Sequence, residues 1–437
     1  MGIYSTIFAV ILGFCILINE FTRKKDSKPF DLLSGVNLLF FLSFVVTPLS
    51  IYFFNLEFSS WTFIVDVESG SSFKALFYVL VGYLSMLFGL SFSKRWKLVK
   101  NLPSKFEENN CMVEKFAHII GVLGISFLLV FIFSVGGVEA FLSTNTLYRS
   151  GSIDPTPLAF VRNLALFIPI SCFIFYGLSK NSKSKFFNRY QLFFIIYFVA
   201  SLLLYFNRAS RMGVLVFLIS FFILNVMYYR KNILKYIPLI IVVFLFLVYF
   251  GKSVFNYFFV GDVSLQVSGI KFSQIIGEFS FPFYTLTHAM ENSFFNGVPR
   301  LFFDFLLGFF NLLPSAILPF SVPMNATQLN TESFLNMSGI PIDLVSLGFY
   351  SFGISGVILI TFFFGITIGC VEKILSDKNN LLVVIFYIQF IFFFSLIVPY
   401  ASPTNVYKSD FCLLFAFLIF IYFFKRKKNA TNLLYKI

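Results

Sequence analysis

Long apolar runs punctuate this chain, and each is close to the ~20 residues that an α-helix needs to cross the hydrocarbon core of a bilayer. Runs of that length fall at 3–19, 32–54, 73–93, 117–135, 158–178, 191–206, 212–229, 236–251, 345–370, 381–398 and 410–424. The pattern predicts an all-α, polytopic transmembrane bundle of about eleven spans. It divides the chain into helices 1 to 8 over 1–251, a large outer segment over 252–344, and helices 9 to 11 with a basic tail over 345–437.

Composition agrees, since 58% of the 437 residues are hydrophobic and only 12% are charged. Phenylalanine, at 69 residues, reads mostly as lipid-facing filler. The five cysteines (Cys15, Cys111, Cys172, Cys370, Cys412) are scattered without CxxC or Cys/His spacing, so neither a disulfide framework nor a metal site is expected. No cofactor is expected either, because the chain carries no P-loop, Gly-rich nucleotide fold or Asp-x-Asp pair.

The net charge of +13 is not a nucleic-acid signature, because the basic residues sit in short clusters between apolar runs. With the N-terminus outside, the cytoplasmic segments hold 24 of the 33 Lys and Arg residues, as the positive-inside tendency requires. The expected orientation therefore has the N-terminus outside and the C-terminus inside. The first run lacks a basic n-region and is followed by Arg23 and Lys24, so it reads as a retained helix rather than a cleaved signal.

Nine basic residues are left at or beyond the outer face: Lys74, Arg149, Arg162, Arg208, Arg211, Lys252, Lys271, Arg300 and Lys408. Two of them share the five-residue turn Asn207-Arg208-Ala209-Ser210-Arg211, which joins two apolar runs with almost no loop. An arginine near hydrocarbon costs ~2.5 to 3.5 kcal/mol at mid-membrane, and such residues usually face an interior site or an anion. The planar guanidinium matches phosphate oxygens in pairs, so phosphate is the expected ligand of this turn.

The outer segment from Lys252 to Asp343 is too long for a simple connection, and long loops of this kind carry function. Its stretch Leu301 to Phe320 is apolar but broken by Asp304, Asn311, Pro314 and Pro319, which predicts an interfacial or re-entrant helix pair. His288, one of only two histidines, follows Glu278 by ten residues; the histidine can exchange a proton or donate to an oxyanion, an inert hydrogen-bonded histidine is the alternative, and Glu278 could form a structural ion pair with Arg300 or Lys271. Tyr257, Tyr284 and Tyr350 are candidate ring platforms for a ligand, with core packing the commoner role for such tyrosines. A second outer segment predicts a helix starting at Thr156-Pro157, whose N-terminus and nearby Arg149 and Arg162 suit phosphate.

Three stretches carry a resemblance to a known family. They are NRASRMG at Asn207 to Gly213, the outer loop with Gly277-Glu278 and His288, and GIPIDLVSLGFYSFGISG from Gly339 to Gly356. With the overall layout, they resemble the O-antigen polymerase (Wzy) family of oligosaccharide repeat-unit polymerases. Tyr350, Phe352, Gly353 and Gly356 stand at the family's Tyr-x-x-Phe-Gly-x-x-Gly helix start, while Ile342 and Asp343 stand where a second proline or a glutamate is frequent.

The resemblance implies a metal-independent glycosyltransferase with a GT-C-like membrane fold. It would move a growing glycan from undecaprenyl diphosphate onto a newly flipped lipid-linked repeat unit. Its partners would be the undecaprenyl-diphosphate-linked oligosaccharide, membrane lipid and a chain-length regulator protein. Arg149, Arg162, Arg208, Arg211 and Arg300 would hold the diphosphate and glycan, and His288 or Glu278 would take the acceptor proton. A ligase that passes finished glycan to a lipid core, a flippase or other transporter for lipid-linked oligosaccharide, and a non-enzymatic scaffold remain alternatives.

Overall fold

The computed structural model describes residues 2–23, 30–54, 69–95, 110–143, 158, 160–182, 188–208, 210–232, 235–251, 272–291, 299–311, 323–333, 340–376 and 380–434. Among these residues all regular structure is helical. In chain order the first helices are α1 (Ile3–Thr22), α2 (Leu32–Phe54), α3 (Ser69–Arg95), α4 (Asn110–Ser134), α5 (Val161–Asn181), α6 (Arg189–Asn207), α7 (Arg211–Met227) and α8 (Ile237–Tyr249). The outer segment contributes α9 (Phe272–Glu291), α10 (Phe303–Phe310) and α11 (Ala326–Ser333), and α12 (Leu344–Ile374), α13 (Leu381–Ile397) and α14 (Pro403–Leu434) complete the chain. A further short helix, Val138–Ser143, lies between α4 and α5.

Each of the eleven apolar runs falls on a helix. Eight helices, α1 to α6, α12 and α14, are long and apolar enough to cross a membrane. The other three runs fall on the shorter apolar helices α7, α8 and α13. At 1.5 Å per residue the 13-residue α8 is about 20 Å long, less than a hydrocarbon core. Lipid-type surfaces are evident on α1 and α4, where Phe14, Phe21 and Phe133 are exposed. The phenylalanines are not mostly filler, however. Phe173, Phe217 and Phe221 stack between α5 and α7, and Phe386, Phe390, Phe417 and Phe420 between α13 and α14.

Glycine allows α3 and α12 to touch along their main chains. A Cβ on Gly89 would strike the Phe362 carbonyl oxygen, and one on Gly365 the Met86 carbonyl oxygen, so each helix is bare where the other's backbone arrives. Membrane helices associate through small residues in this way because lipid provides no hydrophobic drive between them.

Two breaks have local causes. Pro48 in α2 has no N–H to give the preceding turn; that turn widens into a π segment over Leu42–Val46, and Thr47 Oγ1 donates to the Leu42 carbonyl at 3.0 Å. In α12 the helix breaks at Phe352 and Gly353, where Gly353 has φ +60° and ψ −141°, a region open only to glycine. The chain folds back so tightly that a Cβ on Gly356 would strike the Gly348 carbonyl oxygen. The Ser351 carbonyl at the break accepts the Leu301 N–H at 2.9 Å, which ties α12 to the outer segment.

This end of the bundle is cross-linked around Asp343. Asp343 caps α12 by accepting the Val345 and Ser346 N–H groups, and the strand-like approach to it is held by Ala401 N–H donating to the Ile342 carbonyl at 2.7 Å. The opposite end carries the predicted cytoplasmic clusters and a separate polar network. There Arg23 pairs with Glu20 and Asp31, Asn37 donates to Glu20, and Tyr83 donates to Asn37.

Of the predicted helix pair at 301–320, α10 occupies the first part and packs against the start of α14, where a Cβ on Gly308 would lie 3.0 Å from Pro403. The second part lies outside the described residues, as does the predicted helix start at Thr156-Pro157. The last span differs from expectation. Its helix begins at Pro403, seven residues before the predicted 410, so Lys408 and Asp410 lie inside α14 rather than ahead of it.

Candidate functional site

The Asn207-to-Arg211 turn is held from three sides. Asn207 is buried and its amide donates to the Phe141 carbonyl at 2.5 Å. Ser210 caps α7 by accepting the Gly213 N–H at 3.0 Å. Gly213 is needed because a Cβ there would press on Ser210 Oγ and on the Tyr205 ring at 2.7 and 2.8 Å. Both guanidinium groups therefore leave a short, fixed turn.

They face a cavity of about 570 Å³. Its polar lining includes Arg208, Arg211, Glu278, Lys408 and Asp410, with Asn163, Gln389 and Asn405 beside them. Its apolar wall comes from α8 (Phe244, Leu247, Val248) and α13 (Phe392, Phe393, Leu396). A cavity with cations on one side and hydrocarbon on the other suits an amphiphile with an anionic head group.

The charges are not equivalent. Arg211 Nη2 lies 3.0 Å from Glu278 Oε1. The Arg211 stem passes over Gly251 at the end of α8, where a Cβ would come within 2.7 Å of it. The Arg208 side chain has no hydrogen bond and no ion pair among the described residues, and burial pushes its guanidinium below its ordinary value, with Tyr205 and Asp410 opposing. An arginine keeps its proton in a protein, so this burial is a standing desolvation cost that a bound anion would relieve. Lys408 likewise has no hydrogen bond or ion pair among the described residues.

Arg208, Arg211 and Glu278 thus line one cavity. The other candidates lie elsewhere. Arg300 is engaged by Asp304, which takes its Nε and Nη2 hydrogens at 2.8 and 2.9 Å, and by the Met324 carbonyl. The same carboxylate accepts the Ala326 N–H at the start of α11, so Arg300 and Asp304 fasten the outer segment. Arg162 rests against the Phe131 ring at 5.7 Å and does not line the cavity. Arg149 lies outside the described residues. His288 is 7% exposed and sits about 15 Å beyond Glu278 along α9 at 1.5 Å per residue, so the two do not serve one reacting centre. Tyr284 and Tyr350 are buried at 2% and 1% exposure and present no face to a sugar, while Tyr257 lies outside the described residues.

Asp410, Gln389 and Asn405 are additions that the apolar pattern did not select, and Lys408 joins the cavity from the nine basic residues singled out above. Ser402-Pro403 was the available signal, since proline favours the first position of a helix and would have moved the start of α14 upstream. No protein-family model, no curated protein and no solved structure matches this chain.

Proposed function

We propose that the protein is a membrane glycosyltransferase that polymerises undecaprenyl-diphosphate-linked oligosaccharide repeat units at the periplasmic face of a bacterial inner membrane. The observation that carries this reading is Arg208, a half-buried guanidinium without a hydrogen bond or ion pair among the described residues, bordering a cavity of about 570 Å³. Lys408 and Arg211 bring the cavity to three cations. The motif resemblance from Gly339 to Gly356 supplies the reaction class.

In this reading the leaving group is a diphosphate, and charge builds on it as the glycosidic bond breaks. Cations already fixed around it stabilise that charge without reorganising. Arg208 and Lys408 hold the diphosphate, and Arg211 is aimed by Glu278. The apolar wall of α8 and α13 receives the lipid chain. Arg300, fully committed to Asp304 and Met324, serves the fold rather than the ligand.

The test is a gel of surface glycan from a host lacking this gene, its complemented version, and versions carrying Arg208→Ala or Arg211→Ala. Loss of the long ladder, with core carrying one repeat unit, is the result expected of a polymerase. Loss of every repeat unit from the core overturns polymerisation and favours a ligase or flippase. A full ladder from both variants at wild-type abundance removes the diphosphate clamp.

A further inference from the structure

The cavity has two carboxylates, and they are held differently. Glu278 shares its charge with Arg211 at 3.0 Å. Asp410, on α14, has no hydrogen bond and no ion pair among the described residues, although Arg208 acts on it electrostatically. It lies seven residues into the helix, about 10 Å from its start. A carboxylate at such depth in a membrane helix is costly and is kept where it performs chemistry. The other charged and titratable groups around the cavity are Arg208 and Tyr205 from α6, Arg211 from α7, Glu278 from α9, Tyr400, and Lys408 on the same helix.

We propose that Asp410 is the base that accepts the proton of the acceptor hydroxyl, an inference that rests on the glycosyl-transfer reading above. The acceptor oxygen bonds to the anomeric carbon while the bond from that carbon to the diphosphate oxygen breaks. The electron pair of the broken bond leaves with the diphosphate, beside Arg208 and Lys408. The hydroxyl proton passes to an Asp410 oxygen and then to water before the next cycle. Glu278 is instead occupied by the Arg211 guanidinium at hydrogen-bond distance. Its place is to position Arg211.

Asp410→Asn keeps the size of the side chain and removes its ability to take a proton. The full-length variant is compared with wild type and Asp410→Glu in two measurements: glycan elongation in the gene-deleted host, and binding of farnesyl diphosphate to the purified chain. Asp410→Asn is expected to lower elongation about 100-fold, the scale of a lost general base, while farnesyl diphosphate binding stays within about twofold. Asp410→Glu retains part of the elongation. Elongation by Asp410→Asn within about threefold of wild type, at equal abundance, overturns the assignment. Loss of binding together with elongation also overturns it, and makes Asp410 a counter-ion that sets Arg208. Wild-type protein that neither binds farnesyl diphosphate nor restores a ladder removes the glycosyl-transfer reading itself, whatever Asp410 does.

Discussion

Arg211 Nη2 and Glu278 Oε1 lie 3.0 Å apart and join the start of α7 to α9 across the wall of the cavity. Their side chains are 32% and 35% exposed, so solvent screens the pair and its effect on stability is small. What the contact fixes is direction. Without it Arg211 has a long, freely rotating stem, and its charge is spread over the cavity mouth.

Arg211→Ala is expected to lower glycan elongation about tenfold or more, and Glu278→Gln by less, since the guanidinium remains. The double variant should then match Arg211→Ala alone, because residues acting as a unit do not add. Polymer quantified per molecule of membrane protein decides this. Losses that multiply in the double variant mean that Glu278 has a role apart from Arg211.

Arg300→Ala acts through the fold. It leaves the fully buried Asp304 carboxylate without its cation, and breaking a buried pair from one side costs about 3 to 5 kcal/mol. Membrane abundance and thermal midpoint should fall, with elongation per surviving molecule unchanged. Asp304→Asn added to Arg300→Ala should recover part of the abundance. A full-abundance Arg300→Ala protein with no elongation would move this arginine back to the substrate.

Gly353→Ala places a side chain at φ +60° and ψ −141°, at a cost of about 1 to 3 kcal/mol. Gly356→Ala is worse, because the new methyl meets the Gly348 carbonyl oxygen, a backbone atom with no rotamer to change. Thermal melts of the purified chain followed by size-exclusion should rank wild type above Gly353→Ala and Gly353→Ala above Gly356→Ala. An unchanged melt for Gly356→Ala removes the close approach.

Asp343 gives a pH-dependent signature. It is fully buried at the start of α12, and burial pushes its carboxyl up from 3.8 to about 6, against the pull of the Ser346 and Val345 donors. Because the folded value is the higher one, the folded chain holds this proton more tightly than the unfolded chain. The contribution is therefore complete below about pH 4 and is lost as pH rises through about 6. Its size is on the order of 3 kcal/mol. Thermal midpoints measured from pH 4 to pH 7 should show this loss in wild type and not in Asp343→Asn. The same slope in both proteins assigns the effect to another group.

The spans were legible because apolarity over ~20 residues is a local property that needs no knowledge of neighbours. The start of α14 was not, because its first turns carry Lys408 and Asp410 and fail an apolarity criterion even though Ser402-Pro403 marks a helix start. Arg208 and Arg211 were found because a turn of five residues leaves them nowhere else to go. His288 and Arg300 were grouped with them by membership of one outer loop, and loop membership does not say which turn of α9 meets the cavity or which cation meets Asp304. Glu278 was selected as a candidate proton acceptor, while its contact with Arg211 depends on α9 crossing α7 and is invisible in the linear order.

The bare seam between α3 and α12 has a mechanical consequence. With main chain against main chain at Gly89 and Gly365, there are no side chains to rotate aside, so neither helix can slide past the other by repacking. The two form a fixed post. Widening of the cavity must come from walls that are loosely held, and α8, without a single buried residue, is such a wall. The chain combines a rigid backbone seam with a cavity wall that contributes no buried residue to the core.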